Sequence, residues 1–364
     1  MRIRALGAKF GTLPTGQNNS ITDVAGVRVG HTTRFEDIQG ENGMIALRTG
    51  VTAILPHSGN MFREKVNAGV HTINGFGKAN GFEQIRERGV IETPILLTNT
   101  LNVGRVVDAL VEYMLEDNPE IGISTGTINS IVGECNDGFL SDLRGRHVNT
   151  ADVKQAIQQA LMSGDFAPVE EGCVGAGTGT ACFQFKGGIG TSSRQVLEGR
   201  YTVGVLVQTN FGHRSLFRFL GAPLGQHLLE TALPQLGPGS IMMVAATDAP
   251  LDSRQLTRLA TRVGIGLART GSIASDGSGD FAIAFSTANR WQHFDAPMTQ
   301  TVERFNENAD EIDALFIGAV EATEEAILNV LTTAVTVTGR DGNTLHAIPH
   351  DLLIHWLKHY RVLE

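Results

Sequence analysis

Three Gly-Ser steps occur at positions 239–240, 271–272 and 277–278. Most steps of this kind are turns. Gly239-Ser240 stands in a different context. It closes Pro234-Gln-Leu-Gly-Pro-Gly239, two prolines and two glycines within six residues, which is the composition of an irregular loop. It opens Ser240-Ile-Met-Met-Val-Ala-Ala246, an apolar run of strand length. A serine there occupies the first position of a strand, facing a cavity at a sheet edge. In a strained Gly-Ser peptide the hydroxyl can attack the preceding carbonyl. An ester then replaces the amide, and water releases a new N-terminal serine. The freed α-amine has a reference pKa of ~7.7–8.0, close to working pH. It can share general-base duty for its own hydroxyl with neighbouring groups. Glycine before the serine limits steric resistance to the contorted peptide.

Other chemistries lack their residues. There is no GxSxG, HExxH or GxxxxGK[ST]. Gly175-Ala-Gly177-Thr-Gly179 runs into Thr180-Ala-Cys-Phe-Gln-Phe-Lys186, which reads as a strand, whereas a dinucleotide loop must open a helix. His57, His71 and His213 are scattered. Cys135, Cys173 and Cys182 are odd in number and form no CxxC pair, which argues against a disulfide framework and a zinc site. Net charge is -9 with a pI near 5.7. No basic stripe of the kind that grips nucleic acid is present. Arg254, Arg258, Arg262 and Arg269 share one face of an expected helix and read as a solvated face. No unbroken apolar run reaches the ~18 residues of a membrane span. The first eleven residues lack a signal-peptide core, so the expected location is cytoplasmic.

The elements that must position Ser240 follow from periodicity. Strands are expected over 26–32, 51–55, 180–186, 201–208, 240–246 and 281–286. Helices are expected over 101–116, over 151–162 capped by Thr150, near 225–233, from Asp248 and Pro250 to Arg269, and over 307–333. Strands bracketed by helices without a regular βαβ period imply a layered α/β sandwich. The chain has 43 glycines in 364 residues, about 12% against a usual ~7%. Gly175, Gly177, Gly179, Gly187, Gly188 and Gly190 are expected to let backbone segments pass closely around a buried site.

The chain resembles the self-cleaving serine aminopeptidases, which include L-aminopeptidase/D-esterases and β-peptidyl aminopeptidases. The resemblance covers essentially the whole chain. It rests on residues 19–33, 92–101, Gly133-Glu-Cys-Asn-Asp-Gly138, Val174-Gly-Ala-Gly-Thr-Gly179, 186–194, and Gly239-Ser240 followed by Ala246-Thr-Asp-Ala-Pro-Leu251. It implies one four-layer αββα domain over 1–364, similar to N-terminal nucleophile hydrolases but with different strand connectivity. It implies cleavage between Gly239 and Ser240 into chains 1–239 and 240–364, and a homotetramer of cleaved protomers.

By the same resemblance Ser240 matches the nucleophile. Ser278 and Asp280 match the Ser-x-acid pair that completes the catalytic group, where many relatives carry glutamate in place of Asp280. Asn210 matches the amide that donates to the oxyanion, and Glu134 the carboxylate that receives the substrate's amine. Asn136 lies beside it, where some relatives carry tyrosine. The implied activity releases N-terminal L-, D- or β-amino acids from short peptides, amides or esters through an acyl-enzyme, with no cofactor, no metal, no nucleic-acid partner and no membrane. Two alternatives are an acyltransferase like ornithine acetyltransferase, a group that cuts before threonine, and a non-catalytic binding protein that retains the fold.

Overall fold

A computed structural model of the chain describes residues 1–41, 43–229, 234, 236, 239–307 and 310–363. Its strands are β1 (Arg28–Gly40), β2 (Gly43–Leu55), β3 (Glu64–Gly75), β4 (Val90–Ile91), β5 (Ile95–Asn99), β6 (Ile131–Cys135), β7 (Ala181–Cys182), β8 (Phe185–Lys186), β9 (Ile189–Val196), β10 (Tyr201–Asn210), β11 (Ser240–Thr247), β12 (Gly279–Gln292), β13 (Val337–Thr338) and β14 (Thr344–Leu345). Its α-helices are α1 (Phe82–Arg88), α2 (Val103–Asp117), α3 (Thr150–Met162), α4 (Ser253–Arg269), α5 (Ile312–Thr333) and α6 (His350–His359).

Two sheets form the centre. One has the order β1-β2-β5-β6, the other β4-β3-β12-β11-β10-β9. Alternation along β11 shows how they stack. Met242, Val244 and Ala246 pack with Ile54, Leu97 and Ile131 of the four-stranded sheet. Ile241, Met243 and Ala245 pack with Leu256 and Val263 of α4 and Leu315 of α5. β11 is therefore buried on both faces, which is why it reads as a continuous apolar run. On the far side of the other sheet, Val51, Leu55 and Leu96 pack against Leu110 of α2 and Ile157 of α3. The layers run helix, sheet, sheet, helix, the expected αββα sandwich.

Several glycines serve the contact between helix and sheet. A Cβ on Gly190 of β9 would lie 2.1 Å from the Ala326 carbonyl oxygen of α5. The close passage expected at that position thus lets a helix lie on the sheet, away from Ser240.

Local differences have local causes. The strand expected over 180–186 is a tight hairpin of β7 and β8, because Phe183 and Gln184 turn at φ 49 and 60. The cap of α3 is Asn149, whose Oδ1 accepts from the Ala151 and Asp152 amides, and Thr150 is already helical. α4 starts only at Ser253, capped by Asp252. Near 225–233 the chain makes a 3-10 turn over Leu224–His227, and 230–233 lie outside the described residues. α5 begins at Ile312; residues 308 and 309 of the expected 307–333 helix also lie outside the described residues. The α4 arginines do lie on a solvated face, Arg254 and Arg269 exposed and Arg258 and Arg262 half-buried, and they make contacts there. Arg254 and Arg258 pair with Glu307, Arg269 pairs with Glu324, and Arg262 lies over the Phe316 ring.

Candidate active site

Three strand ends meet in register. Asn210, the last residue of β10, lies opposite Ser240, the first of β11, and Ser240 lies opposite Gly279, the first of β12. The Ser240 hydroxyl donates to the Gly239 carbonyl oxygen at 2.7 Å. The Gly279 N–H donates to the same oxygen at 3.2 Å. A hydroxyl thus sits beside a carbonyl whose oxygen is already polarised by a fixed N–H donor. Charge developing on that oxygen would be stabilised without reorganisation.

Ser278 and Asp280 flank Gly279. The Ser278 hydroxyl donates to Asp280 Oδ1 at 2.6 Å, so the aspartate arm reaches its serine. Both residues are buried. Burial pushes the Asp280 carboxyl up to about 6, against the pull of the Ser278 hydrogen bond. Asp280 Oδ2 accepts no hydrogen bond among the described residues. A buried carboxyl raised to about 6 that holds the Ser278 hydroxyl and keeps a second oxygen open suits proton transfer.

The Asn210 amide is oriented by its oxygen, which accepts the Ala181 N–H at 3.0 Å, leaving the NH2 as its donor. Asn210, Gly239 and Ser278 line a cavity of about 190 Å³ whose apolar wall includes Leu216, Leu236 and Ile273. A larger cavity of about 920 Å³ opens at the other end of β12, around Trp291 and Lys65, and none of these residues lines it.

Glu134 is reached through two contacts. It lies on β6, only 3% exposed, not on the surface as an isolated strand-end acid would be. Its neighbour Cys135 points its Sγ at the Gln208 and Ser240 carbonyl oxygens, at 3.2 and 3.5 Å. The loop after β3 passes over Glu134. A Cβ on Gly77 would lie 2.9 Å from Gly279 Cα and 3.4 Å from Glu134 Oε1, so only a glycine fits between the β12 end and the carboxylate. Oε1 accepts the Lys78 N–H at 3.2 Å, and Oε2 accepts the Thr100 hydroxyl. Burial pushes the Glu134 carboxyl above its ordinary value, and the Thr100 hydroxyl and Lys78 pull against it. Asn136, just beyond β6, is exposed, and its Oδ1 accepts the Gly138 N–H at 2.8 Å.

Residues 19–345 match peptidase family S58. The chain belongs to that family. β-Peptidyl aminopeptidase BapA of Sphingosinicella microcystinivorans is 43% identical over 380 aligned positions, covering 100% of this chain and 93% of the relative. The crystal structure of the PH0078 protein of Pyrococcus horikoshii OT3 superposes with a TM-score of 0.92 at 46% identity, covering 99% of each chain. The L-aminopeptidase D-Ala-esterase/amidase of Ochrobactrum anthropi, described as a prototype for the serine aminopeptidases and a variant of the Ntn hydrolase fold, superposes with a TM-score of 0.92 at 38% identity, covering 100% of this chain and 99% of that one. The S58 chain is therefore a peptidase, of an aminopeptidase family. Among its described residues no helix is long and apolar enough to cross a membrane.

Three features of this S58 chain escaped the sequence. Gly279 reads as one more turn glycine, yet its N–H touches the Gly239 carbonyl. Gly77 carries no sequence signal for the close approach it permits. Lys186 is fully buried, and its ammonium donates to the Gly177, Thr180 and Gly187 carbonyls at 3.1, 2.9 and 2.8 Å. It ties down the glycine-rich segment beneath Asn210, and burial pushes its pKa down. Only the repeated glycines around it, which leave carbonyls without side-chain cover, hint at that role.

Proposed function

We propose that this S58 peptidase is an autoproteolytic serine aminopeptidase with Ser240 as nucleophile. The observation that carries the reading is the double grip on the Gly239 carbonyl oxygen by the Ser240 hydroxyl and the Gly279 N–H. In maturation Ser240 Oγ bonds to the Gly239 carbonyl carbon. The oxyanion is held by the Gly279 N–H. The hydroxyl proton passes to the departing Ser240 nitrogen, the C–N bond breaks, and an ester remains. Water hydrolyses that ester, giving a Gly239 carboxylate and a free Ser240 α-amine.

In turnover the uncharged α-amine accepts the Ser240 hydroxyl proton, helped by the Ser278–Asp280 pair. Oγ attacks the substrate carbonyl, and the Asn210 amide donates to the oxyanion. The leaving amine or alcohol takes a proton and departs, and water then cleaves the acyl-enzyme. Glu134 pairs with the substrate's ammonium group, which restricts attack to the first residue of a chain. Short peptides, amides and esters bearing a free amine, built on L-, D- or β-residues, are the substrate class. A serine at the cut favours transfer to water over an acyltransferase reading.

The test is active-site labelling. A fluorophosphonate probe added to active protein should modify Ser240 alone, as located by peptide mapping, and abolish turnover of an amino-acid p-nitroanilide. Labelling of a different serine with matching loss of activity would overturn the assignment.

A further inference from the structure

Four buried polar side chains converge behind Glu134 in place of apolar packing. Asn99 ends β5 and caps the turn that follows it, Thr100–Asn102. Its Oδ1 accepts the Asn102 N–H at 3.1 Å and the Asn102 side-chain amide at 2.9 Å. Its Nδ2 donates to Asp137 Oδ2 and to Thr49 Oγ1, both at 3.0 Å. Thr49, Asn99, Asn102 and Asp137 are all at most 2% exposed. Thr100, carried by that turn, supplies the hydroxyl on Glu134 Oε2. Asn99 lies opposite Cys135 in register, so Asp137 reaches back from just beyond β6 to the end of β5.

Burying polar groups costs free energy unless every partner is in place, and a connected network defines one geometry. Among the described residues Asp137 Oδ1 and Asn102 Oδ1 accept no hydrogen bond, so the four are tied together through Asn99, whose bonds lead to the turn bearing Thr100. We propose that Asp137 is a positioning residue for amine recognition: through Asn99 it fixes the Thr100 hydroxyl on Glu134, so that the carboxylate keeps one orientation toward a cationic amine. The proposal rests on the reading of Glu134 as the amine's partner. Asp137 touches neither Ser240, Ser278, Asp280 nor Asn210 in any hydrogen bond among the described residues.

The experiment uses the mature protein and two probes: alanine p-nitroanilide in its L-, D- and β-forms, and a fluorophosphonate that labels Ser240 and has no cationic amine. Asp137→Ala should raise KM for the free-amine probe by about tenfold or more, the size expected for a lost hydrogen bond to a charged group. Its kcat and its rate of fluorophosphonate labelling should stay within about threefold of wild type. Asp137→Asn, which keeps an acceptor for Asn99, should restore KM. Thr100→Val should reproduce the KM rise, and it carries the test if Asp137→Ala does not fold. An unchanged KM in Asp137→Ala or Thr100→Val, or an equal loss on both probes, overturns the proposal. Glu134→Gln separates the two levels. If it leaves discrimination between the probes unchanged, the reading of Glu134 itself fails. If it abolishes discrimination while Asp137→Ala does not affect it, only the positioning role fails.

Discussion

Asp280 should cost the fold stability in return for its chemistry, and Asp280→Asn makes that measurable. The substitution is best made in a Ser240→Ala background, which keeps Gly239 and residue 240 joined as in the structure. Burial raises the Asp280 carboxyl to about 6, against ~3.9 for an unperturbed aspartate. A raised acid is favoured in its protonated form by the fold. Its stability contribution therefore declines as pH rises from the unfolded value through the folded one, and is flat above. Two pKa units amount to about 3 kcal/mol in all, of which about 2 kcal/mol falls between pH 4.5 and pH 8. Asparagine cannot ionise, and its Oδ1 can still accept the Ser278 hydroxyl. Its NH2 replaces an oxygen that has no partner among the described residues, a cost that does not vary with pH. The change in unfolding free energy caused by Asp280→Asn should thus be more favourable at pH 8 than at pH 4.5 by about 2 kcal/mol. Urea denaturation at both pH values reads it directly. In the chain that keeps Ser240 the same substitution should cut kcat by about 10²–10⁴. A stability difference independent of pH, or wild-type turnover in Asp280→Asn, would refute the placement of a strained, proton-handling carboxyl here.

Other expectations follow from single contacts. If Asn210 donates to the oxyanion as proposed, Asn210→Ala should lower kcat by about 10²–10³ with KM nearly unchanged, since that charge exists only in the transition state; steady-state kinetics on an amino-acid p-nitroanilide checks this. Lys186→Met should cost about 1–3 kcal/mol, because the buried Gly187 carbonyl loses its donor, while the Thr180 hydroxyl still serves the Gly177 carbonyl and the Gly187 N–H still serves the Thr180 carbonyl; a urea midpoint within experimental error of wild type would show that the ammonium does not pin that segment. The pH profile of kcat/KM should rise as the Ser240 α-amine deprotonates, around ~7.7–8.0 for an unperturbed amine. A lower limb, at or below about 6, should disappear in Asp280→Asn.

Much of the scaffold could be read from the chain because burial leaves a periodic mark. β11 is apolar from residue 241 to residue 246 since both faces are covered, and α2 and α3 show one apolar stripe each. The irregular loop before Ser240 set that serine apart from the other Gly-Ser steps without any structure. Features that depend on contacts distant in sequence left no such mark. The depth of Glu134 comes from the loop bearing Gly77 and Lys78 and from the turn bearing Thr100, both remote in sequence. The break at Phe183 and Gln184 is a backbone rotation within an alternating pattern, which side-chain periodicity cannot register. α6 is short, with four of its ten residues His, Trp or Lys at its C-terminal end, so its apolar stripe of Leu353 and Leu357 is weak.

Intact-mass spectrometry of the purified, active protein tests the central claim most directly. The account predicts two polypeptides, residues 1–239 and a second beginning at Ser240, together heavier than the precursor by one water, and a single inactive chain for Ser240→Ala. An active preparation made only of the unbroken 364-residue chain would contradict it.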